Sequence, residues 1–247
     1  AIAGATRVLA GTSLALLVHE LADGAVGLRR FIESQRPRAL VLLPPLAAQP
    51  VLAALARELG APCVRISPLT DGDPAGVVSS HERHAAADAA RYLMALGHRR
   101  IGFIAGPDGD MAHHERERGF ADALGGDAGL IAQGDGSPAS GREAANLLLQ
   151  LSPQPSAILA ASPAMAAGAL AAAREQGLAV PADLSIMALG DCDWAEALIP
   201  PLAAMRQPLE AIAEAAVRKG LYPGAAPGGG DGFDAGLGPR ASAGRGV

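Results

Sequence analysis

The sequence predicts an α/β protein built from doubly wound parallel sheets. Short apolar runs alternate with longer amphipathic segments over most of the chain, at 39–43, 63–66, 101–105, 157–160 and 184–189. These runs do not alternate polar with apolar, as expected of parallel strands covered on both faces. Gly60, Gly97 and Gly177 follow three of the amphipathic segments, where a left-handed helix C-cap favours glycine. Strand and helix taking turns seven or eight times is the pattern of a doubly wound fold.

In chain order, a helix is expected to end near Ala10, followed by a strand over 13–18. Helices are then expected over 26–35, 50–59, 85–96, 114–124, 141–151, 164–176 and 209–219, between the strands named above. Within the uncharged stretch 151–173, Ser162 is an N-cap residue and Pro163 suits the first helical position. Pro153, Pro155, Pro163, Gly168 and the many alanines argue against a membrane span there, which needs ~20 strongly apolar residues. Arg7 and the apolar run behind it faintly resemble an export signal, but Gly11 splits the run. From Tyr222 to Gly238 glycine dominates, so a loose loop is expected before a short last strand at 237–241.

The 247 residues are 50% hydrophobic and 18% charged, enough apolar material for a buried core and too little charge for a disordered chain. Only 3% are aromatic, so that core must pack alanine and other small side chains closely. A net charge of −5 gives no basic footprint for nucleic acid. The two cysteines, Cys63 and Cys192, lie far apart and read as small buried hydrophobes, not as a zinc site or a disulfide.

Phosphate-cradling loops, dinucleotide fingerprints, nucleophile elbows and zinc-protease motifs do not occur in the sequence. No nucleophile, base and orienting group can be named together, so an enzyme is not expected. His113-His114-Glu115 reads as a solvated helix start and not a metal cluster, and His81 with His84 as the N-terminal face of a helix. The acidic pairs Asp108/Asp110 and Asp191/Asp193 read as caps. No metal and no cofactor is expected.

One run is more specific: Leu96-Gly97-His98-Arg99-Arg100-Ile101-Gly102-Phe103-Ile104-Ala105-Gly106-Pro107, followed by Arg116, then Gly119-Phe120 and Ala123-Leu124. It resembles the stretch "LGHRRIGFIAGP…R-x-x-GF-x-x-AL" of the lactose-repressor (LacI/GalR) family of bacterial transcription regulators. Ala166 to Leu170 with Gly177 and Val180-Pro181-Ala182-Asp183-Leu184-Ser185-Ile186 are similar to its "A-x-GAL…G…VP-x-DLSI". Pro200-Pro201-Leu202, Arg206-Gln207-Pro208, the closing Arg240-Ala241-Ser242 and the run from Val41 to Pro45 continue the likeness.

The resemblance implies a type I periplasmic-binding-protein-like fold, with two α/β subdomains joined by three crossovers and a small ligand in the cleft. By alignment one subdomain takes residues 1–79 and 205–225, and the other takes 80–204 and 226–247. It implies ligand contacts from Arg116, Asp191, Ser162 and His81. Arg116 stands where the family has its cleft arginine, whose fork suits sugar hydroxyls or a carboxylate. Ser162-Pro163 stands where the family has Asn-Asp, and its cleft aspartate falls on Gly190, beside Asp191. A homodimer, a sugar-like effector and a cytoplasmic regulator follow from the same resemblance. Operator DNA would be read only through a helix-turn-helix headpiece that these residues do not include. A periplasmic sugar-binding protein is the other reading of the fold. The stripe Val51, Leu52, Leu55, Leu59 is a candidate for the dimer contact.

Overall fold

The computed structural model describes residues 1–67, 76–125, 130–223 and 231–246, and they form two compact units. Unit one comprises Ala1–Ser80 with Pro208–Phe233, and unit two comprises His81–Gln207 with Asp234–Val247.

Unit one holds the strands β1 (Leu40–Leu42), β2 (Cys63–Ile66), β3 (Val77–Ser80) and β9 (Asp231–Phe233) in the order β1-β2-β3-β9, all parallel. Its helices are α1 (Ile2–Leu9), α2 (Gly24–Gln35), α3 (Pro50–Glu58) and α8 (Leu209–Leu221). Side chains of consecutive strand residues face opposite ways, and the core divides accordingly. Leu40 and Leu42 pack with Leu28 and Ile32 of α2 and Leu52 and Leu55 of α3. Val64 and Val78 pack with Ile212 and Ala216 of α8, and Val41 joins them from the other side of β1. The sheet is thus covered on both faces.

One expectation fails in this unit. Residues 13–18 are not a strand: Leu14, Leu16, Leu17 and Val18 are exposed, and Leu14 N–H donates to the Thr12 hydroxyl in a turn. An apolar run becomes a strand only beside a partner, and among the described residues none pairs with it. Of the stripe on α3, Leu52 and Leu55 pack inward, Leu59 is half-buried and Val51 is exposed.

Unit two is a six-stranded sheet in the order β10-β8-β7-β6-β4-β5. The strands are β4 (Ile101–Ala105), β5 (Ile131–Gln133), β6 (Ala157–Ala160), β7 (Ser185–Leu189), β8 (Ala203–Arg206) and β10 (Gly236–Gly238), parallel except for β10 against β8. Every residue of β4, β6 and β7 is buried, which explains their unalternating sequences. Helices α4 (Glu82–Ala95) and α5 (Met111–Ala123) pack together, as do α6 (Pro138–Leu149) and α7 (Pro163–Glu175). Residues 203–206 belong to this sheet through pairing with β7 and β10, so the chain leaves unit two after Gln207. The stretch expected as a loose loop carries β9, the short last strand expected at 237–241 overlaps β10, and residues 224–230 lie outside those described.

The shortage of aromatics is met by close approach. A β-carbon at Gly119 would lie 2.0 Å from the Arg83 carbonyl oxygen, and one at Gly168 would lie 2.0 Å from that of Pro138. Both helix pairs therefore meet nearly backbone to backbone. Phe103 of β4 stacks on Phe120 of α5 at a centroid distance of 4.8 Å and anchors that side.

Residues 240–246 are sewn into the sheet. The Ser242 hydroxyl donates to the Ile186 carbonyl (2.5 Å) and accepts from Ala203 N–H (2.8 Å). Buried His98 lies 3.1 Å from the Gly244 carbonyl through Nε2 and 2.9 Å from the Ser156 hydroxyl through Nδ1. The carbonyl can only accept, so Nε2 carries the proton and Nδ1 accepts from Ser156.

Burial holds the His98 imidazole below its ordinary pKa. The unfolded chain therefore takes up a proton near pH 6.5 that the folded chain refuses. The neutral histidine adds stability above that pH, and the gain is lost as pH falls towards the folded value. Urea midpoints measured from pH 8 to pH 5 should fall below pH 6.5, and His98→Gln should flatten the decline.

Candidate ligand site

Strand order reverses in unit two between β4 and β6: the chain runs outward from β4 to β5 and returns to the other side of β4. In open α/β sheets the carboxyl ends of the strands at such a point form the ligand crevice. After β4 come Gly106, Pro107 and a loop closed by Asp110, whose carboxylate accepts from Ala112 N–H (2.8 Å) and His113 N–H (3.4 Å) and caps α5. The first turns of α5 then present His113 and Arg116, three residues apart and on one face.

The Arg116 guanidinium spans the reversal. Its Nη1 donates to the Ala161 carbonyl just beyond β6 (2.7 Å), and its Nε donates to Glu82 Oε2 (2.7 Å). The Arg116 side chain is only 12% exposed and that of Glu82 4%. The other Glu82 oxygen accepts from the Gln207 side-chain amide. Glu82 sits in the first turn of α4, where the exposed N–H groups of a helix favour an anion.

The His113 ring lies against Gly106, where a β-carbon would fall 2.1 Å from it. Its side chain is 15% exposed, so it is not the solvated helix start expected from sequence. Burial, reinforced by the Arg116 charge, holds the imidazole below its ordinary pKa and keeps it neutral at pH 7. His113 Nδ1 is the one buried side-chain polar atom without a hydrogen-bond partner among the described residues. A buried orphan of this kind costs about 1–3 kcal/mol unless something fills it.

The other expected site residues have different surroundings. Ser162 caps α7 by accepting from Met165 N–H (3.3 Å). Asp191 accepts two bonds from Arg240 (2.8 and 3.0 Å) and lies 2.6 Å from Arg206 Nε, which lowers its pKa chiefly through Arg240. It also accepts from Cys192 N–H (2.9 Å). His81 is exposed, with Nδ1 2.7 Å from Asp234 Oδ1. Gly190 has a left-handed φ of +87°, so an aspartate at 190 would be strained by its backbone conformation, although a β-carbon there would meet Pro163 only at an ordinary contact distance of 3.6 Å. The structure therefore gathers Arg116 with Glu82, Gln207 and His113, while Asp191 belongs to a separate ion cluster with Arg240 and Arg206. Glu82 and Gln207 carry no local sequence signal for this role. His113 had one, its three-residue spacing from Arg116.

Sequence comparison matches residues 90–221 to the periplasmic binding protein-like domain. The chain belongs to that family. The transcriptional repressor CytR of Escherichia coli is 38% identical over 182 residues, covering 72% of this chain and 47% of the repressor. The crystal structure of a LacI family transcriptional regulator from Bifidobacterium animalis subsp. lactis superposes with a TM-score of 0.86 at 26% identity, over 100% of this chain and 93% of that one. The CelR–cellobiose complex, also of a transcriptional regulator, gives a TM-score of 0.82 at 26% identity, over 98% and 77%. The curated relatives are HTH-type transcriptional regulators, and the chain spans about half their length. Among the described residues no helix is long and apolar enough to cross a membrane.

Proposed function

We propose that this chain is the effector-sensing core of a LacI-type transcriptional regulator and that it binds an uncharged, hydroxyl-rich small molecule around Arg116. The observation that carries this reading is the Arg116 bridge across the strand reversal, together with the unpartnered Nδ1 of His113, whose imidazole feels the Arg116 charge. The bridging arginine supplies a planar fork of N–H donors, of which Nε and Nη1 have protein partners. The orphan Nδ1 adds one polar position whose role follows from its tautomer. Because Glu82 matches the Arg116 charge and His113 is neutral, the site has no spare positive charge for a carboxylate. A sugar or related polyol fits this balance, and cellobiose is the ligand named with one structural neighbour.

Ser162, Asp191 and His81 are left out of the contact set because each already has the partner described above. Binding, not turnover, is the activity proposed. Signal output would run through a homodimer and a helix-turn-helix headpiece reading operator DNA in the cytoplasm. With 25 acidic against 20 basic residues, these residues are not assigned the DNA contact themselves.

A thermal-shift panel of neutral mono- and disaccharides, polyols and sugar acids tests the reading. A neutral sugar at a hundred times its Kd should stabilise the protein by about 2.7 kcal/mol. Arg116→Lys keeps a charge beside Glu82 and loses the fork, so it should weaken that sugar by about ten- to a hundred-fold in calorimetry. Stabilisation by sugar acids alone, or an unchanged Kd in Arg116→Lys, would contradict it.

A further inference from the structure

A second group of chemically capable side chains lies outside this site. Among the described residues, His81, His84 and Asp234 are the cluster whose ligand atoms converge, each within 4.8 Å of the others. His81 occupies the N-cap of α4 and His84 follows within its first turn, so the helix presents both imidazoles at one end. Their rings meet edge to face at 5.4 Å. Asp234 comes from 153 positions further along the chain and reaches His81 at 2.7 Å. Each of these two is the first residue of unit two where the chain enters it, after Ser80 and again after Phe233.

We propose that His81, His84 and Asp234 form a binding site for a divalent transition-metal ion of the zinc, cobalt or nickel type. Two imidazoles and one carboxylate are the donor set that such ions select over magnesium or calcium, which prefer oxygen ligands. Bonds of about 2.0–2.2 Å place tetrahedral ligand atoms roughly 3.3 Å apart. All three side chains are exposed, and the present separations of their ligand atoms, from 2.7 Å to at most 4.8 Å, differ from that spacing by about 1.5 Å or less. Three protein ligands leave at least one coordination position for water. A bound ion would tie together two segments far apart in sequence, and it would do so one residue from Glu82, the partner of Arg116. The proposal does not depend on the effector reading, since it uses none of the residues assigned to the effector.

Calorimetric titration of zinc chloride into the tag-free chain, with cobalt followed by its visible absorption, tests this. The expected result is a single saturable site at micromolar zinc, at least tenfold weaker in both His84→Ala and Asp234→Asn and unchanged in His114→Ala. Magnesium at millimolar concentration should not compete. The variants change exposed side chains and should melt like the parent within about 0.5 kcal/mol. Absence of saturable binding, or equal affinity in the parent, His84→Ala and Asp234→Asn, would overturn the assignment.

Discussion

Glu82→Ala should destabilise unit two by about 3–5 kcal/mol, because it leaves the buried Arg116 guanidinium without the carboxylate that matches its charge, held by its hydrogen bond to the Ala161 carbonyl. The cost comes from the uncompensated cation more than from the lost attraction, which desolvation largely offsets in an intact pair. Replacing both partners with apolar groups of similar volume, as in Glu82→Leu with Arg116→Met, should therefore recover most of the loss. Urea unfolding of the two singles and the double closes the cycle. A single variant within about 0.5 kcal/mol of the parent would show that the pair is solvated in solution.

Gly168→Ala is expected to be strongly disruptive although it adds a single carbon. Alanine is favoured over glycine within a helix by about 1 kcal/mol, so the substitution would be stabilising on an open surface. Here the new methyl meets the Pro138 carbonyl at 2.0 Å and the Arg142 amide nitrogen at 2.6 Å, both backbone atoms that no rotamer change can move. Overpacking of this kind costs about 1–3 kcal/mol or more, and α6 must separate from α7 to admit it. The net effect should be a loss of about 2 kcal/mol in urea unfolding, with exposed hydrophobic surface detectable by dye binding. Gly136→Ala, in a position with nothing nearby, would report only the strain of its left-handed φ of +92°.

The strands that could be read from sequence are those buried on both faces. Ile101–Ala105 and Ala157–Ala160 are continuous apolar runs because helices cover both sides, and the expected bounds coincide with the observed ones. Cys63–Ile66 was legible in the same way although Arg65 interrupts it. Val77–Ser80 and Ile131–Gln133 escaped because they are short and partly polar, so neither run stands out from loop. The residues at 13–18 show the opposite error. Their apolar character was read correctly, but strand formation depends on a neighbouring edge that no local pattern encodes.

Of the residues proposed to surround the ligand, the sequence singled out Arg116, through the spacing to Gly119-Phe120, and read His113 as a helix start. Gly119 itself has a packing reason, since it lets α5 meet α4 at the Arg83 carbonyl. Several other motif residues are structural as well. His98 and Ser242 pin the last residues to the sheet, and Arg240 holds Asp191. Asp191 read as a polar group next to the expected pocket because its two arginine partners lie 15 and 49 residues away. Glu82 was hidden for the same reason, 34 residues from Arg116. Pairs of this kind are made by the topology, which brings the start of α4 and the start of α5 to one end of the sheet.

Amide hydrogen exchange with and without a sugar shown by calorimetry to bind tests the central claim most directly. Binding around Arg116 predicts slower exchange in residues 106–116, where the loop after β4 enters α5, and in 161–165, where α7 begins. Saturating sugar that leaves exchange in both segments unchanged would contradict it.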